Sequence, residues 1–347
     1  MELTLIRPDD WHLHLRDDAT LAAVVGHSAR RFGRAIVMPN LQPPVTTVAA
    51  ALAYRDRILA ALPAGSGFQP LMTLYLTDDT PVAEVAAAAA SDHIHAFKLY
   101  PAGATTNSAA GVTDLALVED ALATMAATGM PLLVHGEVTD PDVDVFDREA
   151  VFIERRLEPL VARFPALKVV LEHVTTRQGV AFVAGAGPNV AGTITAHHLW
   201  WNRNAIFTGG LNPHAYCLPV LKREEHRAAL IGAATGGSGR FFLGTDSAPH
   251  ARSAKESGCG CAGIYTAHAA IELYAATFAA AGALDQLEGF ASLHGPAFYG
   301  LAANTERITL TRETWEVPAV YPVGDGELVP MLAGQPLEWR IMETAST

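Results

Sequence analysis

Cysteine is scarce in this 347-residue chain: there are three, Cys217, Cys259 and Cys261. So small and odd a number excludes a disulfide framework and points to a reducing compartment, the cytoplasm. Basic residues are also in short supply, with 24 Lys and Arg against 36 Asp and Glu and a formal net charge of −12. That surface repels a phosphate backbone, so nucleic acid is not an expected partner. The opening Met1-Glu2-Leu3-Thr4-Leu5-Ile6-Arg7-Pro8 lacks a basic region followed by a long apolar stretch, so no secretory signal is expected. The most apolar long segment, Ile264 to Leu284, carries His268 and Glu272, with Asp285 at its edge. It suits an amphipathic or buried helix, and no membrane association is expected. No Ser/Gly/Pro-rich linker divides the chain.

Apolar material is plentiful. Half of the positions (50%) are hydrophobic and 17% are charged, enough for a large core. Short apolar runs recur at Leu3 to Ile6, Ala35 to Met38, Leu71 to Leu76, Ile94 to Leu99, Pro131 to Val134, Lys168 to Leu171, Val190 to Thr195 and Phe241 to Gly244. Their continuous apolar character is that of strands buried on both faces. Helical patterns lie between them. Val48, Leu52, Ile58, Leu59 and Leu62 recur on one face behind Thr46 and Thr47, either able to cap a helix. Ala86 to Ala90 is helical by propensity. Eight strand–helix units are the arithmetic of an α/β fold of the (β/α)₈, or TIM-barrel, kind, one domain spanning residues 1–347. A doubly wound sheet stays open, since periodicity cannot close a barrel. After about Leu301 the pattern changes: Ile308-Thr309-Leu310-Thr311 and Leu337 to Ile341 alternate like exposed strands, which suggests a small C-terminal appendage.

In a barrel, chemistry sits at the carboxyl ends of the strands. Strand one ends in Trp11-His12-Leu13-His14-Leu15-Arg16. His-x-His puts both imidazoles on one side, because side chains alternate with a period of two. Two neutral imidazoles suit a borderline-soft divalent metal; alone, the motif equally describes polar loop residues. Strands five and six also land on histidines, in Leu132-Leu133-Val134-His135 and Val170-Leu171-Glu172-His173. Strand eight ends Leu243-Gly244-Thr245-Asp246. Four histidines and an aspartate exceed the needs of one zinc ion and suggest two metals sharing the site. Strand four adds Lys98 in Ala96-Phe97-Lys98-Leu99-Tyr100. Among cations its amine would lose its proton and could react with CO₂, giving a carbamate that bridges two metals; the plainer reading is a lysine reaching solvent. His197-His198 suit a packing or supporting role. Cys259-Gly260-Cys261 lacks a second pair at zinc-finger spacing and reads as loop thiols. His93, His95 and His226 read as surface residues.

His12-x-His14, Lys98, His135, His173 and Asp246 reproduce in order the binuclear metal set of the amidohydrolase superfamily. Met38-Pro39-Asn40, Phe97-Lys98-Leu99-Tyr100-Pro101, Leu211-Asn212-Pro213-His214 and Gly244-Thr245-Asp246-Ser247-Ala248-Pro249-His250 resemble the short bacterial, monofunctional dihydroorotases over essentially the whole chain. The resemblance implies reversible cyclisation of N-carbamoyl-L-aspartate to L-dihydroorotate in pyrimidine biosynthesis. It implies two Zn²⁺ per chain: one on His12, His14, Lys98 and Asp246, the other on Lys98, His135 and His173, with carboxylated Lys98 as the bridge and Asp246 as general acid and base. The substrate carboxylate would meet Arg16, Asn40 and His250, and the ring amide would meet the backbone near Leu218 and Ala262. Thr105 and Thr106 would belong to a lid over residues 101–111. A homodimer is the implied assembly. Hydantoinases and allantoinases share the metal set and differ at the carboxylate grip; a non-catalytic scaffold relative is the reading from another class.

Overall fold

A computed structural model of the chain describes residues 1–342. The chain opens with β1 (Glu2–Ile6) and then lays down eight parallel strands: β2 (Asp9–Leu13), β3 (Arg34–Val37), β4 (Gln69–Leu76), β5 (Ile94–Leu99), β6 (Leu132–Val134), β7 (Val169–Leu171), β8 (Val190–Ile194) and β9 (Phe241–Leu243). They pair in sequence order, and helices fill the connections, as a TIM barrel requires. Backbone bonds from Asp246 N to His12 O (2.8 Å) and from His14 N to Ser247 O (3.2 Å) draw the ends of the sheet together. The doubly wound alternative is thereby removed.

One buried residue from each strand fills the barrel: Trp11, Ile36, Leu71, Ala96, Leu133, Val170, Ala191 and Phe242 belong to a single apolar cluster. Since strand side chains alternate, residues two further on face the same way. That step carries Lys98, His135, Glu172, Thr193 and Gly244 onto the inward side, one layer above the apolar plug. Between Asp10 and Leu13 the pairing of β2 with β3 shifts register; such an irregularity re-aims side chains and serves His12, which follows the inward Trp11 directly.

The first barrel strand differs from expectation. Leu3–Ile6 is not in the barrel: Arg7 and Pro8 end it, and β2 takes the role. β2 begins with two aspartates, unlike a strand buried on both faces, but neither is exposed. Asp9 pairs with Arg34 at 2.5 Å, and Asp10 accepts from Thr245 N (2.8 Å) and Thr245 Oγ1 (2.6 Å). These acidic residues are tolerated because Asp9 meets a cation and Asp10 is hydrogen-bonded, with burial raising the Asp10 pKa to about 7.

Beyond the barrel lie β10 (Arg307–Glu316), the short antiparallel hairpin of β11 (Tyr321–Val323) and β12 (Gly326–Leu328), and β13 (Pro336–Ile341). β1 joins them in an antiparallel sheet of order β1-β10-β13, so the chain's first strand is held by strands from its last forty residues or so. The helix after β3, Val48–Ala61, is capped by Thr47, whose side chain accepts from Ala50 N at 3.2 Å. It buries Ala51, Tyr54 and Ile58, while Leu59 is exposed. In the segment Ile264–Leu284 only Ala270–Ala280 is an α-helix; Ile264 instead forms a parallel bridge with Ser247. Among the described residues no helix is long and apolar enough to cross a membrane.

Candidate active site

At the carboxyl mouth of the barrel His12, His14, His135, His173, Lys98 and Asp246 converge, all buried. His12 Nε2 and His14 Nε2 lie 3.2 Å apart, and Asp246 Oδ1 is 3.3 Å from the first and 3.1 Å from the second. The ring of His173 sits 5.1 Å from that of His12 and 4.8 Å from that of His135. Ligand atoms of His12, His173 and Asp246 all fall within 4.8 Å of one another. Arg16, His173 and Asp246 hold φ of 58°, 41° and 45°. Side chains other than glycine pay about 1–3 kcal/mol each in such strained backbone. Hydrogen bonds hold two of them there: His173 N donates to Thr193 Oγ1 at 2.7 Å, and Asp246 N to His12 O at 2.8 Å.

Electrostatics favour a cation at this point. Burial takes His14 down to about 3, against the pull of Asp246. It also lowers His135, and His173 well below the usual imidazole range. These rings are therefore neutral and present lone pairs. Burial opposes charge on His12 too, but Asp246 and Glu172 outweigh it and raise its pKa. Asp246, which burial alone would push up, is held well below the carboxylate range by His12 and His14. Lys98 falls to about 8 through burial, partly offset by Glu172 and Asp246, and its Nζ has no hydrogen-bond partner. Neutral imidazoles, an ionised carboxylate and an unpartnered buried amine facing one small space fit a divalent metal.

The same pocket is lined by His12, His14, Arg16, Asn40, Tyr100, Thr105, Thr106, His135, His173, Leu218, Asp246, Ala248, Ala262 and Gly263. Thirteen site residues were read from the sequence; eleven are among these. Of the other two, Lys98 lies beneath the pocket, its Nζ 5.0 Å from the centre of the Tyr100 ring, and His250 flanks it through Arg16 and Ala262. Arg16 donates from Nε to Pro249 O at 3.3 Å and from Nη2 to His250 Nε2 at 3.0 Å, leaving Nη1 buried without a partner. From the segment 101–111, Thr105 and Thr106 line the pocket: Thr106 Oγ1 donates to Ala262 O at 3.3 Å, and Asn40 Nδ2 to Thr106 O at 3.2 Å. A larger cavity of about 370 Å³, lined by Leu99, Glu137, Asp140 and Arg156 among others, includes none of the four histidines, Lys98 or Asp246.

Three residues of the site escaped the sequence reading. Tyr100 lies against Lys98 with its hydroxyl buried and unpartnered. Glu172 accepts from His12 Nδ1, and Glu137 from His135 Nε2, each at 2.7 Å. The available signal was spacing: Glu172 stands two residues beyond the inward Val170, and Glu137 two beyond His135. His197, His198 and Cys217 form a second buried group with ligand atoms within 4.8 Å. However, His198 uses both nitrogens, on Thr195 Oγ1 (2.7 Å) and Pro219 O (3.0 Å). Cys259 and Cys261 lie together in a loop, their sulfurs 3.9 Å apart. His95 is half-buried rather than exposed, and its pKa falls to about 4, chiefly through burial.

A TIM barrel with histidines, a lysine and an aspartate gathered at its carboxyl mouth defines an amidohydrolase, and the chain belongs to the amidohydrolase family, whose model matches residues 3–312. Within that family it falls among the dihydroorotases. It is 66% identical over 339 residues to the dihydroorotase of Cupriavidus pinatubonensis, with 98% of each chain covered. The crystal structure of dihydroorotase from Campylobacter jejuni is 36% identical, with a TM-score of 0.90 and coverage of 99% of this chain and 98% of that one. Dihydroorotase from Saccharomyces cerevisiae in complex with 5-fluoroorotic acid is 33% identical, with a TM-score of 0.90 and 98% of each covered. The protein is a metal-dependent hydrolase acting on cyclic amides.

Proposed function

We propose that this chain interconverts N-carbamoyl-L-aspartate and L-dihydroorotate, the ring-closing step of pyrimidine biosynthesis, in the cytoplasm. The observation that carries the reading is the unpartnered Nη1 of Arg16 in the same pocket as the metal-facing histidines. A guanidinium held on one side by Pro249 and His250, with a buried donor left over, suits a carboxylate fixed beside the reacting amide.

His12, His14, Lys98 and Asp246 would hold one zinc ion and Lys98, His135 and His173 a second, with Lys98, once carboxylated, shared between them. In that modification Lys98 Nζ bonds to the carbon of CO₂ and releases a proton, which its pKa near 8 favours. When bound, such a pair of cations makes a water nucleophilic at neutral pH and polarises the attacked carbonyl. The carboxylate of Asp246 takes the water's proton and delivers it to the leaving nitrogen; in ring closure it works in reverse. Arg16, Asn40 and His250 hold the substrate carboxylate, and the backbone at Leu218 and Ala262 meets the ring amide. Thr105 and Thr106 close over the substrate and exclude water.

The whole chain acts as one catalytic domain, with the segment after about residue 301 as its appendage. A homodimer is the assembly that fits this class, and a net charge of −12 argues against nucleic acid as a partner. The test is hydrolysis of L-dihydroorotate by purified protein, with metal content measured on the same sample. Absence of turnover in metal-replete protein rules the reading out.

A further inference from the structure

The metal-facing histidines differ in how their rings are held. His12 turns Nδ1 away from the site, 2.7 Å from Glu172 Oε2; its Nε2 is the atom that meets His14 and Asp246. His135 does the opposite, pointing Nε2 to Glu137 Oε2 at 2.7 Å. Neither carboxylate is more than 1% exposed. Thr193 Oγ1 donates to the same Oε2 of Glu172 at 2.6 Å, which fixes that oxygen against the ring. Each glutamate commits one oxygen to its histidine and leaves Oε1 buried with no hydrogen-bond partner.

An ionised carboxylate only accepts hydrogen bonds, so the ring nitrogen facing it carries the hydrogen and the other nitrogen carries the lone pair. Two desolvated carboxylates one layer from the site are expensive unless positive charge stands close by. We infer that Glu172 and Glu137 are positioning residues that lock opposite tautomers, His12 presenting Nε2 and His135 presenting Nδ1, and so tune the two halves of a metal centre separately. The inference rests on the binuclear reading above. Its consequence is selectivity: loss of Glu172 weakens the ion held by His12, His14 and Asp246, and loss of Glu137 weakens the ion held by His135 and His173. Carboxylates that orient metal-bound histidines are worth about 10- to 100-fold in metal affinity.

The experiment strips the protein with a chelator and titrates Zn²⁺ back against a chromophoric competitor, for wild type, Glu172→Gln and Glu137→Gln. Each variant is expected to lose about 10- to 100-fold in affinity for one ion and to keep the other at the wild-type value. In a His135→Ala background, which retains the His12 half, Glu172→Gln must still weaken binding and Glu137→Gln must not. Nitrogen-15 spectra of labelled histidine in the metal-free protein, recorded at alkaline pH so that His12 too is neutral, read the tautomers directly; the His12 signals must change in Glu172→Gln and the His135 signals in Glu137→Gln. If Glu172→Gln does not fold, Glu172→Asp, which withdraws the charge by one methylene, takes its place with the same expected direction. Wild-type affinity for both ions, or equal loss of both with unchanged tautomers, overturns the inference. A wild type that binds a single ion overturns the binuclear reading instead and leaves the Glu172 arm to be read on that ion.

Discussion

Arg16 and His250 meet through Nη2 and Nε2 at 3.0 Å, and the same imidazole nitrogen is 3.0 Å from the carbonyl oxygen of Ala262. Burial, with Arg16 adding to it, takes His250 down to about 3, so the ring is neutral. A neutral Nε2 either accepts from Arg16 or donates to Ala262, but not both. Together with the unpartnered Nη1 of Arg16, this leaves a hydrogen-bond deficit that a substrate carboxylate would fill.

Replacing Arg16 with Met keeps aliphatic bulk and removes the charge. Dihydroorotate turnover is expected to fall by about 2–4 kcal/mol in kcat/KM, roughly 30- to 1000-fold, with metal content retained. Dihydrouracil lacks the carboxylate and should gain nothing from Arg16. Equal loss on both substrates would make Arg16 a structural residue and the enzyme a general cyclic amidase.

Asp246→Asn tests the proton shuttle. The amide cannot accept and return a proton, so kcat should drop about 100- to 10,000-fold while the thermal transition stays close to that of wild type. Turnover within about threefold of wild type would remove Asp246 from the acid–base role, since that is under 1 kcal/mol of barrier.

Metal removal and return test Lys98. Chelated protein should be inactive and should recover with Zn²⁺ and bicarbonate, but not with Zn²⁺ in CO₂-free buffer. Intact mass of the recovered protein should carry one added carboxyl group. Active protein with an unmodified Lys98, or with one metal per chain, would exclude the carbamate bridge.

The sequence displays the architecture well where local pattern suffices. Seven of the eight apolar runs overlap barrel strands, and histidines at their ends mark the mouth of the barrel. The exception, Leu3–Ile6, is as apolar as the others, but its partner is Thr309 and its neighbours in β10, a pairing across some three hundred residues that no local pattern reveals. β2 was hard to see for the converse reason: Asp9 and Asp10 look wrong for a buried strand until Arg34 and Thr245 are placed against them. Glu172 and Glu137 stayed hidden because a carboxylate beside a histidine says nothing about which ring nitrogen it touches. The residues gathered at the barrel mouth were legible because several strand ends carried the same kind of message; the glutamates hydrogen-bonded to two of them act through single contacts in space.

The plug beneath the site supplies the last prediction. Trp11 stacks on Tyr299 with ring centroids 4.4 Å apart and an interplanar angle of 9°, and it immediately precedes His12. Gly295 passes so close that a Cβ there would lie 1.9 Å from Trp11 Nε1 and 2.3 Å from its Cε2. Trp11 is fully buried and cannot swing away, so Gly295→Ala overpacks a rigid contact at a cost of about 1–3 kcal/mol or more. Relief has to come through movement of Trp11, and His12 would move with it. Gly295→Ala should therefore lower both the urea midpoint and the affinity for the ion that His12 helps to hold. Gly232 is the control: it is exposed in the helix Glu224–Thr235, and a Cβ there meets nothing within 4 Å. Gly232→Ala should stabilise by about 0.5–1 kcal/mol, because alanine is the better helix former and loses less chain entropy on folding. Denaturation of the two variants side by side should give shifts of opposite sign, with metal affinity altered in the first alone. A Gly295→Ala protein as stable as wild type would mean that the Trp11 plug is looser than its contacts indicate.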